Sequence, residues 1–110
     1  MTAVAVIGDG QMGLVLADAL CCRGVEVRLW GPFQESVNDL AMTRNSPRLP
    51  GFTLDDAVHV TNDSGEVLQD VDVAINAIPT QFIRSVWGKL EQYVPAGIPI
   101  ACVAKGIEIE

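Results

Sequence analysis

The apolar run Ala3–Ile7 passes directly into Gly8-Asp9-Gly10-Gln11-Met12-Gly13, and this junction constrains the chain more than any other stretch. An unbroken apolar run suits a strand buried on both faces. The six residues after it match G-x-G-x-x-G. Met12, Val15, Leu16, Ala19 and Leu20 then recur at helical spacing, which predicts one apolar helix face. Strand, glycine turn and helix in that order form the dinucleotide-binding fingerprint. Gly8 allows the tight turn, Gly10 admits a pyrophosphate against the backbone, and Gly13 lets helix and strand pack closely. Phosphates would sit at the helix N-terminus, where N–H groups and the positive dipole end favour an anion.

The rest of the chain keeps alternating strand and helix patterns. Arg23-Gly24 reads as the stop of the first helix. Val25, Val27 and Leu29 alternate with Glu26, Arg28 and Trp30 as a second strand. Val37, Leu40 and Ala41 place a second helix over Gln34 to Thr43. Asn45 to Phe52, with two prolines and a glycine, is irregular, either a functional loop or a surface connection. Val58-His59-Val60 is a third strand, and Asp63 with Glu66 starts a brief helix through Gln69. Val71 to Ile78 is a fourth strand. Pro79-Thr80 opens a helix whose buried face is Phe82 or Ile83, Val86, Trp87, Leu90 and Tyr93. Ile98 to Ala104 is a fifth strand, with Pro99 tolerable only near its beginning. The fold class is therefore α/β: a Rossmann-type doubly wound parallel sheet in three αβα layers. Ligands in such sheets bind beyond the strand carboxyl ends, at the switch point. Gly8 to Gly13, Trp30 to Phe33, Asn76 to Phe82 and Ala104 to Gly106 are expected to meet there.

Composition narrows the function classes. The chain has 110 residues, one domain's worth, and its 49% apolar content suffices for a core. Fourteen acids against seven bases give a net charge of −7, which argues against a nucleic-acid surface. No stretch approaches the ~20 apolar residues of a membrane span. Nothing reads as a signal peptide, so a cytoplasmic protein is expected. Cys21, Cys22 and Cys102 lack C-x-x-C spacing and suggest neither a disulfide framework nor a metal site. His59, the single histidine, reads as a surface residue of its strand.

Cofactor choice stays open at this level. The end of the second strand would carry an acid for the ribose hydroxyls of NAD, or have an arginine nearby for the 2′-phosphate of NADP. Trp30-Gly31-Pro32-Phe33 offers neither. Glu35 comes slightly late, Arg28 lies inside the strand, and Arg44 and Arg48 are distant. Phe33 would either stack on the adenine or cover the core.

Taken together, VAVIGDGQMG, VRLWG, RLPGF, IPTQFIRSV and AKGIE resemble the N-terminal cofactor-binding domain of NAD(P)-dependent glycerol-3-phosphate dehydrogenase. The resemblance covers essentially the whole chain, in family order and spacing. It implies reversible reduction of dihydroxyacetone phosphate to sn-glycerol 3-phosphate by NAD or NADP chemistry, feeding phospholipid synthesis. By position, Gly8, Gly10, Gln11, Met12 and Gly13 would form the pyrophosphate loop, and Pro79 and Phe82 would line the nicotinamide end. Lys105, of K-G-I-E, would contact cofactor and substrate. There its ammonium could attract the phosphate or polarise the carbonyl that receives hydride.

Some positions depart from the family. Asp9 replaces a small residue and Met12 an aromatic. An aspartate beside a pyrophosphate is unfavourable unless it points outward. Pro32 stands where many members have a basic residue, which weakens the case for NADP. The family's helical second domain, with a second catalytic lysine and most substrate-phosphate contacts, is expected to lie outside residues 1–110. Residues 1–110 are thus expected to bind cofactor without turnover. The apolar surface that would face that domain is a candidate for self-association, giving a homodimer. Three alternatives share the glycine loop: a non-catalytic nucleotide-binding module, a β-hydroxyacid or 6-phosphogluconate-type dehydrogenase, and, more distantly, an S-adenosylmethionine-dependent methyltransferase. K-G-I-E speaks against the second. Turnover separates the module from the enzymes.

Overall fold

The computed structural model describes residues 2–46, 49–78 and 83–102. Among these, β1 (Ala3–Ile7), β2 (Glu26–Trp30), β3 (His59–Thr61), β4 (Val73–Asn76) and β5 (Ile100–Cys102) form one sheet. All neighbouring pairs are parallel and the order is β3-β2-β1-β4-β5. The chain builds outward from β1 to β3, then returns to β1's other side for β4. That reversal beside β1 is the topological switch point.

β1 explains why its sequence is continuously apolar. Val4 and Val6 join one core cluster, while Ala3, Ala5 and Ile7 join the other. The strand's alternation is thus buried on both faces. The first cluster takes Leu14 and Ala17 from α1 (Gln11–Cys22) and Val37 and Leu40 from α2 (Gln34–Thr43). The second takes Val67 and Leu68 from α3 (Ser64–Leu68) and Val86 and Leu90 from α4 (Ile83–Leu90). These are the three αβα layers. Full burial of each Ile7-, Leu14- or Leu29-sized side chain contributes ~1.5–3 kcal/mol.

Local signals behave as the residues predict at several ends. Asp63 caps α3, its carboxylate accepting from the Glu66 N–H at 2.9 Å. Gly24 adopts φ +86 just past α1, and the Val25 N–H reaches back to the Leu20 carbonyl. α2 has the bounds read from its periodicity, but its cap was not foreseen. Arg44 takes the left-handed conformation at φ 62, while its guanidinium donates to the carbonyls of Asp55 and Val58. Those bonds tie the irregular segment after α2 to the start of β3. Leu54 of that segment is buried, and Leu49 and Phe52 pack on the core, so three side chains anchor it.

Three expectations are corrected. The inward face of α1 is Gly13, Leu14 and Ala17, not Met12, Val15 and Ala19, which are exposed. Leu16 and Leu20 are half-buried, and Leu20 packs on the core with Cys21. α1 is apolar nearly all round, so periodicity leaves its rotation undecided. The close approach at Gly13 settles it. α4 stops at Leu90, and a single 3₁₀ turn, Glu91–Tyr93, swings Tyr93 out to 45% exposure. β3 begins one residue later than read, β4 is shorter, and β5 starts at Ile100 rather than Ile98. Pro99 directly precedes β5, where its carbonyl still accepts from the Ala74 N–H.

Candidate functional site

The register brings the strand carboxyl ends into one row. Thr61 pairs with Trp30, Trp30 with Ile7, Ile7 with Asn76, and Asn76 with Cys102. The residues just past that row include Asn62, Gly31, Gly8 and Ala77. Chemistry at the switch point is built from these.

Gly8 carries the chain out of β1 at φ +126, a conformation L side chains rarely adopt. Its N–H donates to the Trp30 carbonyl at 2.8 Å, and the Ala77 N–H donates to the Ile7 carbonyl at 2.8 Å. The turn is therefore fastened to both neighbouring strands. A Cβ on Gly13 would lie 1.9 Å from the Gly8 carbonyl oxygen, so helix and loop touch backbone to backbone. Gly10 differs: a Cβ there would meet nothing within 4 Å. It is the N-cap of α1, has no side chain to bond the helix end, and no acidic residue stands in the first turn. The positive end of α1 thus opens onto the clear space beside Gly10. A pyrophosphate fits that cradle, and a side chain at residue 10 would fill it.

Asp9 does not point outward. It is 5% exposed, and a Cβ on Gly31 would fall 2.5 Å from its Oδ2 and 2.8 Å from Val37 Cγ2. The carboxylate therefore lies against the end of β2. Asn62 fixes that end, its Nδ2 donating to the Gly31 carbonyl at 2.6 Å. The Gly31 N–H in turn donates to the Thr61 carbonyl. Asp9 and Asn62 were not singled out as site residues from the sequence. A charged residue between two motif glycines was the available signal for the first.

On the other side of β1, Asn76 is 4% exposed at the end of β4. Its Oδ1 accepts from the Ile78 N–H at 3.2 Å and from Trp87 Nε1 at 2.9 Å, fastening the strand exit to α4. Beyond β2, Phe33 is 61% exposed at the N-cap of α2. Of its two readings, covering the core is excluded. Gln11 and Met12 are exposed on the first turn of α1. Pro79, Phe82 and Lys105 lie outside the described residues, so Gly8, Gly10, Gln11, Met12, Gly13 and Phe33 are the expected site residues whose positions are known here.

His59 belongs to the opposite end of its strand. It is the first residue of β3, and its Nε2 contacts Glu66 Oε2 at 2.9 Å. Thr61 Oγ1 donates to Glu66 Oε1 at 2.7 Å, and these two contacts, Thr61's first, hold the Glu66 carboxyl below its ordinary value. Cys21 is half-buried against the core. Burial, then the Asp55 carboxylate, pushes its thiol up and keeps it protonated. Among the described residues, no three acids, histidines or cysteines could hold a metal ion, and no helix is long and apolar enough to cross a membrane.

Comparison with known proteins agrees with this architecture. The sequence profile of the NAD-dependent glycerol-3-phosphate dehydrogenase N-terminus matches residues 3–110. A glycerol-3-phosphate dehydrogenase [NAD(P)+] of Solidesulfovibrio magneticus is 37% identical over 108 residues, covering 97% of this chain and 33% of the relative. A second such enzyme, from Lactobacillus delbrueckii, is 36% identical over 108 residues, covering 98% and 32%. The glycerol-3-phosphate dehydrogenase structure from Saccharomyces cerevisiae superposes with a TM-score of 0.79 at 27% identity, covering 92% of this chain and 33% of that one. That from Coxiella burnetii superposes at 0.84 over 96% of this chain and 34% of that one; at 24% identity it speaks to the fold alone. The chain spans about a third of the length of the relatives it matches. With the glycine cradle at the switch point and a profile match over nearly all its residues, the chain belongs to the NAD-dependent glycerol-3-phosphate dehydrogenase N-terminal domain family.

Proposed function

We propose that residues 1–110 are one NAD(P)-binding domain of an enzyme that interconverts dihydroxyacetone phosphate and sn-glycerol 3-phosphate. The observation that carries this reading is the clear space beside Gly10 at the uncapped end of α1. Gly8 and Gly13 shape the loop, Gly10 admits the pyrophosphate, and Gln11 and Met12 border it from the first turn. Phe33, exposed beyond β2, offers its ring to the adenine. Pro79 and Phe82 line the nicotinamide end. Lys105 contacts cofactor and substrate, its ammonium drawing the phosphate or polarising the carbonyl. When bound, the dihydronicotinamide supplies a hydride; the residues here hold and orient it.

The second lysine and most phosphate contacts belong, by the family resemblance, to a further helical domain. Residues 1–110 therefore bind the dinucleotide without turning it over. A cytoplasmic setting and a homodimer form part of the same proposal, with Val15 among the exposed apolar residues of α1.

The test is a fluorescence titration of the purified chain with NADH and NADPH, followed by dihydroxyacetone phosphate with absorbance monitoring. Saturable binding without oxidation is expected. Binding of neither nucleotide overturns the cofactor reading, and turnover overturns the need for a further domain.

A further inference from the structure

The geometry points to Asp9 as the residue that recognises the adenosine ribose and sets the chain's preference for NAD over NADP. The inference rests on the dinucleotide-binding reading and adds which group selects the cofactor.

In a dinucleotide fold the ribose hydroxyls are met by an acid about 20 residues after the glycine motif, at the end of β2. Here β2 ends at Trp30, and the next residue is Gly31, which has no side chain. The space that residue 31 would use is taken by another carboxylate. A Cβ on Gly31 would lie 2.5 Å from Asp9 Oδ2 and 2.8 Å from Asp9 Cγ. The acid is present at the ribose end, but it arrives from the glycine loop rather than from β2. Gly31 and Asp9 are complementary: either a side chain grows from residue 31, or the Asp9 carboxylate occupies its place.

The surroundings hold this arrangement in position. Gly31 is clamped by Asn62 through its carbonyl and by Thr61 through its N–H. Gly8, next to Asp9, is tied to the Trp30 carbonyl. Asp9 itself is 5% exposed, so its carboxylate is held within the fold rather than turned to solvent.

Two arginines considered for a 2′-phosphate are committed elsewhere. Arg28 donates to the carbonyls of Glu66 and Gln69 and pairs with Glu26. Arg44 donates to the carbonyls of Asp55 and Val58. A ribose hydroxyl can donate to the Asp9 carboxylate. A 2′-phosphate there would bring like charges together, a juxtaposition that costs affinity severely at a partly desolvated site.

The experiment is a binding titration of the full chain with NADH and NADPH. A parallel pair, ADP-ribose and its 2′-phosphate, removes the nicotinamide from the comparison. We expect the unphosphorylated member of each pair to bind at least about tenfold tighter at low salt. Added salt should narrow that gap, because its origin is charge repulsion. Asp9→Ala should bring the ratio close to one, mainly by weakening NADH. Asp9→Asn keeps the shape and removes the charge, so it should gain affinity for NADPH. Melting curves of both variants establish that they fold, and the salt dependence tests the unaltered chain should either fail.

Equal affinity for the two nucleotides, or preference for NADPH, overturns the assignment while leaving dinucleotide binding intact. A preference for NADH that survives Asp9→Ala, or that salt leaves unchanged, overturns it as well. Failure of the unaltered chain to bind any of the four ligands instead overturns the dinucleotide reading beneath it.

Discussion

Gly13 approaches Gly8 so closely that a Cβ on Gly13 would sit 1.9 Å from the Gly8 carbonyl oxygen. Backbone, unlike the tip of a flexible side chain, cannot yield to such a contact without moving α1 off β1. Leu14 and Ala17, both fully buried on α1, would move with it. Gly13→Ala should therefore destabilise the chain by at least about 3 kcal/mol, the upper end for overpacking. Urea denaturation measures this. A midpoint indistinguishable from the unaltered chain would show that helix and loop separate freely, contrary to the packing described.

Gly10 provides the contrast. A Cβ there meets nothing within 4 Å, and its φ of −79 is open to any residue. Gly10→Val should cost no more than about 1 kcal/mol, the scale of an N-cap change. It should nevertheless abolish NADH binding, because the side chain fills the space at the helix end. One motif glycine thus governs folding and the other binding. Retained nucleotide affinity in a folded Gly10→Val chain would mean that the pyrophosphate lies elsewhere.

The contrast also marks how far residue patterns reach. The Ala3–Ile7 run, the glycine motif and the Asp63 cap each state a local requirement that tertiary structure merely satisfies, so the sheet and cradle were readable. The rotation of α1 was not, because apolar residues surround that helix and its inward face is chosen by a backbone contact at Gly13. Tyr93 was misplaced because helical periodicity does not reveal where α4 tightens into a 3₁₀ turn. The direction of Asp9 depends on the missing side chain of Gly31 and on the clamp by Asn62, residues far apart in sequence. Such relations exist only once strands are in register.

Gly31 should prove intolerant for a reason unrelated to backbone freedom. A methyl group at residue 31 would collide with the Asp9 carboxylate and with Val37 Cγ2. Gly31→Ala should destabilise the chain by roughly 1–3 kcal/mol. Combining it with Asp9→Gly removes one of the two collisions and should recover part of that loss. Strict additivity of the two variants in thermal denaturation would show that they do not share the space.

The Glu66 cluster predicts a weak acid-side dependence of stability. Thr61 and His59 hydrogen-bond its carboxyl and lower its pKa in the folded chain. A folded value below the unfolded one contributes stability above about pH 4.3, and that contribution disappears as pH falls through the folded value. The side chain is 49% exposed, so the effect should stay below about 1 kcal/mol. Glu66→Gln should flatten this part of the stability profile, because the amide no longer titrates. An unaltered slope between pH 5 and 3 would mean that other carboxyls dominate.

Arg44 joins two roles that substitution can separate. Its left-handed backbone costs of the order of 1 kcal/mol, while its guanidinium bonds to Asp55 and Val58 hold the segment leading into β3. Arg44→Ala keeps the strained backbone and loses both bonds. Arg44→Gly loses the bonds but relieves the strain, as glycine adopts this conformation freely. The alanine variant should therefore be the less stable of the two, by up to about 1 kcal/mol, although alanine is ordinarily the better residue near a helix end. Both should unfold before the unaltered chain in urea, because each loses the bonds to the Asp55 and Val58 carbonyls. If alanine proves the more stable, helix propensity outweighs the cap conformation, and the bonds from the arginine alone account for its place there.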